Sequence, residues 1–83
     1  MVSREFTTAK NVEARVAAHF VQTASMFMSR MMIRRGTMEV NCKSIMGVVS
    51  MSISEGDKVI ITTTGKDEQE AADALVKMLS EAK

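Results

Sequence analysis

Cys42 is the only cysteine in the chain, and that narrows the ways in which it can hold itself together. Neither an internal disulfide nor a cysteine-based zinc site can staple the fold. A chain of 83 residues buries only about 60% of the surface that its unfolded form exposes. Stability must therefore come from one packed apolar core, with little left over to enclose an active site. A lone cysteine also suits a reducing compartment, so a cytoplasmic location is expected. The opening MVSREFTTAKNVEAR carries Arg4, Glu5, Lys10, Glu13 and Arg15 and offers no signal-peptide core. No later run approaches the roughly 20 apolar residues of a membrane span. Lys and Arg number 11 against 10 for Asp and Glu, a formal net charge of +1. That supplies no broad field for nucleic acid or an anionic membrane, and neither is expected as a partner.

Proline is absent, the glycines are scattered, and no repeat or low-complexity tract interrupts the chain, so residues 1–83 read as a single domain. From Ala14 to Met28 the residues Ala17, Phe20, Val21, Ala24 and Met28 recur at helical spacing. MMIRRGTMEV is two β-prone runs around Gly36-Thr37, and glycine as the first central residue suits a two-residue type II′ hairpin. DKVIITTT, Asp57 to Thr64, is a β-branched strand closed by Gly65, and SREFTT near the start is a weaker strand candidate. Asp67-Glu68-Gln69-Glu70 opens the last helix as a variant capping box, with Asp67 accepting from the helix start and Glu70 reaching back. Its expected buried stripe is Ala71, Leu75, Met78, Leu79 and Ala82. SIMGVVSM, Ser44 to Met51, reads as a short helix capped by Ser44.

The order strand, helix, strand, strand, helix, strand, helix implies an α+β fold. It is an open-faced sandwich in which three helices cover one face of a four-stranded antiparallel sheet. No metal, nucleotide or glycine-rich phosphate pattern appears, so no cofactor is expected.

Three blocks carry a resemblance: VEARVAAHFVQTAS from Val12, VNCKSIMGVVSMSISEGDKV from Val40, and GKDEQEAADALVKML from Gly65. Together they resemble the HPr phosphocarrier family of the bacterial phosphotransferase system, in the wording of Gram-positive HPr and its regulatory paralogue Crh. The resemblance implies a phosphoacceptor and docking protein rather than an enzyme. In that family a histidine, a variable residue, arginine and proline open the first helix, and the histidine accepts phosphate. Here the segment reads Glu13-Ala14-Arg15-Val16.

The acceptor histidine is replaced by Glu13, while the phosphate-neutralising arginine is kept as Arg15. A carboxylate is the weaker nucleophile at neutral pH, its reference pKa being about 4.3 against about 6.5 for imidazole. Glu13 is left as a partial mimic of the phosphorylated histidine or as a charge that favours the helix dipole, worth about 0.3–1 kcal/mol. Val16 lacks the pre-set backbone angle of proline at a first-turn position. His19 projects about 200° around the helix from the apolar stripe and reads as a solvated surface residue.

The KSIMG block implies a second site, a serine modified by HPr kinase/phosphorylase, here Ser44. Without the resemblance, a serine before a short helix reads simply as a cap. In the resembled proteins the phosphoserine form binds the transcriptional regulator CcpA, and apolar residues of the short helix pack on that partner. Ile45, Met46 and Val49 occupy those places, and Ala14 and Arg15 complete the expected docking set. At least part of the trio Ile45, Met46 and Val49 is expected to face the core, with Ile45 and Met46 partly exposed. The resemblance also implies phosphotransferase enzymes as partners, and either a monomer or a strand-swapped homodimer. The nine methionines read as adaptable core filler or as a promiscuous surface.

Overall fold

Alternation along the β-branched run sets the sheet. In the computed structural model, which describes residues 1–81, Val59, Ile61 and Thr63 are buried while Lys58, Ile60, Thr62 and Thr64 point the other way. This strand, β4 (Lys58–Thr64), lies between β1 (Val2–Thr7) and β2 (Arg30–Arg35), and β3 (Met38–Asn41) adds to the outer side of β2. All three pairings are antiparallel, giving the order β1-β4-β2-β3. Register puts Phe6 opposite Val59, Met31 opposite Thr63 and Ile33 opposite Ile61, so the buried side chains of neighbouring strands fall on one face.

Three helices cover that face: α1 (Ala14–Ser25), α2 (Ile45–Ser50) and α3 (Glu68–Ser80). α3 lies over β1, β4 and β2, α2 lies against β3, and α1 packs on both other helices. Ala17, Phe20 and Ala24 of α1 meet Ala71, Leu75 and Leu79 of α3 in one hydrophobic cluster. Phe20 is fully buried, which contributes about 1.5–3 kcal/mol over leaving it in water. The β-α-β-β-α-β-α order and the open-faced arrangement match the expectation. The β2–β3 turn does too: Gly36 has φ +62 while Thr37 stays out of the left-handed region, the type II′ combination.

Two expectations fail for one physical reason. α1 ends at Ser25, not Met28, and Met28 is 82% exposed. Asp67 precedes α3 but makes no side-chain cap to it. Its carboxylate instead accepts from the N–H groups of Met28 and Ser29, both at 2.9 Å, and from the Ser29 hydroxyl. Those bonds pull the chain out of helical geometry after α1. The reach-back role falls to Glu68, which accepts from the Gly65 N–H at 2.9 Å, and Glu70 stays exposed. In the α3 stripe Ala71, Leu75 and Leu79 are buried, Met78 is half-buried, and Ala72 joins them. Ala82 lies outside the described residues.

Candidate functional site

Glu13 is the N-cap of α1, with extended backbone at φ −84 and ψ 179. Its carbonyl accepts the first helical bond, from the Ala17 N–H at 2.8 Å. Its carboxylate makes no capping bond, so the side chain is presented to solvent, as are Ala14 and Arg15. The loop before it is pinned. The Val12 N–H donates to the Ile53 carbonyl at 2.9 Å, the Glu55 N–H to the Asn11 side-chain oxygen at 2.8 Å, and the Ala9 N–H to the Leu79 carbonyl at 2.8 Å. Buried Val12 anchors the same loop in the core.

That second loop has its own tie. Asp57 accepts from the Ser54 N–H at 2.8 Å and from the Arg35 guanidinium at 3.0 Å. The backbone bond from Ser54 and then the Arg35 contacts hold its carboxyl below the usual range, against a partial desolvation effect. Arg35 also donates to the carbonyl of Ser52 at 3.0 Å, whose φ of +50 makes it the one non-glycine residue in the left-handed region among those described. This turn fixes the path of the chain leaving α2.

Ser44 caps α2 as expected: its Oγ accepts from the Gly47 N–H at 3.2 Å. Gly47 is small for a reason. A Cβ there would lie 3.1 Å from Val40 Cβ and 3.3 Å from Ser44 Oγ, so α2 sits close on β3 because position 47 has no side chain. Val48 and Met51 supply the inward face of this helix, both fully buried. Ile45 at 41%, Met46 at 79% and Val49 at 40% are all exposed. None of the three is a core residue, against the expectation that some would turn inward. On a helix of six residues Val48, with Met51 just beyond, is enough to fill the inward side.

Glu13 and Ser44 do not share one spot. Val12 bonds beyond the C-terminal end of α2, whereas Lys43, next to Ser44, donates its ammonium to the Phe27 carbonyl beyond the C-terminal end of α1 at 2.8 Å. The two helices therefore run antiparallel, with Glu13 and Arg15 at one end of the pair and Ser44 at the other. Met26 and Met28, 80% and 82% exposed, lie on either side of Phe27 at the Ser44 end. Methionine patterning did not reveal this split, because Met31 is core and Met26 and Met28 are surface within one run. His19 is exposed, but with Arg15 it borders a groove toward α3 that sequence reasoning passed over. The signal was available as the helical spacing of Arg15 and His19 on α1 and of Ala74, Lys77 and Met78 on α3. Among the described residues no group of three His, Cys, Asp or Glu side chains is placed to hold a metal ion, and no helix is long and apolar enough to cross a membrane.

The PTS-HPr family, described as the PTS HPr component phosphorylation site, matches residues 3–81. The HPr-like protein Crh of Halalkalibacterium halodurans is 44% identical over 68 residues, spanning 82% of this chain and 81% of that protein. The crystal structure of a phosphocarrier protein HPr from Bacillus anthracis superposes with a TM-score of 0.90 at 38% identity, covering 94% of this chain and 95% of that one. The Bacillus subtilis Crh crystal structure, described as an intertwined dimer with a swapping domain, matches with a TM-score of 0.80 at 38% identity, over 99% of this chain and 92% of that one. The chain belongs to the HPr family of phosphocarrier proteins and, like HPr and Crh, is not an enzyme.

Proposed function

We propose that this chain is a regulatory member of the family that acts in carbon catabolite repression. HPr kinase/phosphorylase transfers the γ-phosphoryl group of ATP to the Ser44 hydroxyl, which loses its proton as ADP leaves, and the product docks on a CcpA-like transcriptional regulator. The observation that carries this reading is the state of the two ends of the helix pair. Ser44 is exposed beside three exposed apolar side chains, Ile45, Met46 and Val49, and the residue that the family resemblance puts at the acceptor position is Glu13 and not histidine. A phosphate brings about −1.5 to −2 charge and three strong acceptor oxygens. Placed beside an apolar patch, it gives a partner both an anion to pair with arginine and a surface to bury.

The test is mass spectrometry after incubation with ATP and the serine kinase. A gain of one phosphate that is absent from Ser44→Ala is expected, and an unmodified wild type refutes the reading and leaves a decoy that binds phosphotransferase partners without exchanging phosphate. A second reading has its own support, since relatives named phosphocarrier protein HPr match almost as well as Crh. Under it the chain relays phosphate to sugar permeases. Incubation with phosphoenolpyruvate and the first enzyme of the system decides: a stable phosphate on Glu13 favours the relay, and none favours regulation.

The reading places the protein in the cytoplasm, where its kinase and regulator act. It also covers assembly, as a monomer or a strand-swapped homodimer. β1 is an edge strand that pairs only with β4, and six residues separate it from α1. It is therefore a terminal edge strand that can exchange between two copies by opening a single strand pairing and its packing on α3. Size-exclusion chromatography with light scattering distinguishes the two states.

A further inference from the structure

Between α1 and the second half of α3 runs an open groove of about 530 Å³. Its floor is apolar, built by Val16 of α1 and by Ala74 and Met78 of α3, all half-buried. Its borders are basic: Lys10 from the loop before α1, Arg15 and His19 from α1, and Lys77 from α3, with Glu81 the one carboxylate. The lining follows from helical periodicity. Residues 74, 77 and 78 form one stripe of α3, with Glu81 just past its end, and residues 15, 16 and 19 form the facing stripe of α1. Arg15 and Lys77 put a permanent cation on each wall of this groove, and Glu81 is the one carboxylate among its lining residues.

We propose that the groove binds a small organic anion, one with a single phosphate or carboxylate head and a compact apolar body. The volume is of the size that small-molecule sites occupy, about 300–1,000 Å³. An apolar floor ringed by cations matches that ligand and no other simple class. An inorganic anion leaves the floor uncovered, a neutral apolar molecule leaves the ring unused, and a cation is repelled. Lys77 and Arg15 on opposite walls grip the head, and Val16 and Met78 cover the body. This site is separate from Ser44 and does not depend on its phosphorylation.

The test is a titration of ¹⁵N-labelled protein with phenyl phosphate, benzoate, inorganic phosphate and phenol, followed by amide shifts. Phenyl phosphate is expected to give saturable shifts on both walls, at Val16, His19, Ala74 and Met78, and to bind at least about tenfold more tightly than inorganic phosphate, since covering the ring buries apolar area. Lys77→Glu reverses one charge a few ångströms from the head and should weaken phenyl phosphate by about tenfold. Lys77→Gln should weaken it less, and Lys58→Glu on β4, outside the groove, should leave it unchanged. Either order of phenyl phosphate and benzoate supports the site and identifies its preferred head group. Equal binding of phenol and phenyl phosphate, shifts that spare α3, or equal losses in Lys77→Glu and Lys58→Glu would each overturn the proposal. Lys77 is exposed, and the amide spectra themselves report whether each variant is folded.

Discussion

Replacing Ser44 isolates what this residue does for the fold from the partner role proposed for it. Its Oγ holds one of the free N–H groups at the start of α2, that of Gly47 at 3.2 Å, in an exposed position. Removing an N-cap acceptor costs about 0.5–2 kcal/mol, and a long exposed bond belongs in the lower half of that range, about 0.5–1 kcal/mol. Unfolding entropy near 60 °C is about 2.1 cal/mol/K per residue, so a chain of this length changes by about 0.17 kcal/mol per degree. Ser44→Ala should therefore lower Tm by about 3–6 °C in calorimetry. Ser44→Asp keeps an acceptor oxygen at the same place and should stay within about 2 °C of wild type. The reasoning fails if Ser44→Ala melts with wild type, or if Ser44→Asp falls as far as Ser44→Ala. The result also bears on regulation, because a loss of partner binding in Ser44→Ala counts as loss of phosphate only after its thermal cost is known.

Gly65 has φ +149, and a Cβ there would sit 2.8 Å from the Cα of Ser29. Gly65→Ala should cost at least about 2 kcal/mol in urea unfolding, and an unchanged midpoint would refute the close approach. Asp57, Asp67 and Glu68 all have carboxyls held below their ordinary values, Asp67 chiefly by the Ser29 hydroxyl and Glu68 chiefly by the Gly65 N–H. Their folded pKa values lie below the unfolded ones, so the stability they add is present above the unfolded range and is lost as pH falls through the folded values. Tm should drop below about pH 4, and Asp67→Asn should flatten that drop; equal slopes in the two proteins would remove Asp67 from the explanation. Cys42 is fully buried, and burial pushes its thiol up to about 12. Thiol labelling at pH 8 should then proceed only at the rate of opening and accelerate in urea, whereas immediate labelling of native protein would contradict the burial.

Much of this molecule is visible in local pattern. β-branched alternation marks β4, helical spacing marks α1 and α3, and a serine ahead of an apolar run marks α2, because each signal lies within a few residues of the element it creates. What escapes local pattern is what depends on a partner far along the chain. Asp67 looks like a helix cap because its neighbours are helical, but it is taken by Ser29, 38 residues away. The end of α1 is decided by that same bond, and nothing in residues 24–29 announces it. At the candidate site, Ser44 and Glu13 can be found by motif. That they sit at opposite ends of the helix pair comes only from the contacts of Val12 with Ile53 and of Lys43 with Phe27.

That separation changes how the two positions can act together. The length of α2 alone puts on the order of 10 Å between the ends, comparable to a Debye length of about 8 Å at physiological salt. Through water, a charge at Ser44 has little hold on Glu13, so the two ends do not regulate one another by direct repulsion. A partner lying along the pair faces both at once. It meets a fixed carboxylate at Glu13 with Arg15 beside it, the apolar side chains of Ile45, Met46 and Val49 between, and Ser44 at the far end. With a neutral Ser44 that surface offers one anionic group, the Glu13 carboxylate, and with a phosphoserine it offers one at each end. Discrimination between the two forms then rests on a partner whose cations are spaced to meet both ends, and substituting Glu13 by histidine would leave one end neutral or cationic, changing what such a partner reads even where Ser44 is untouched.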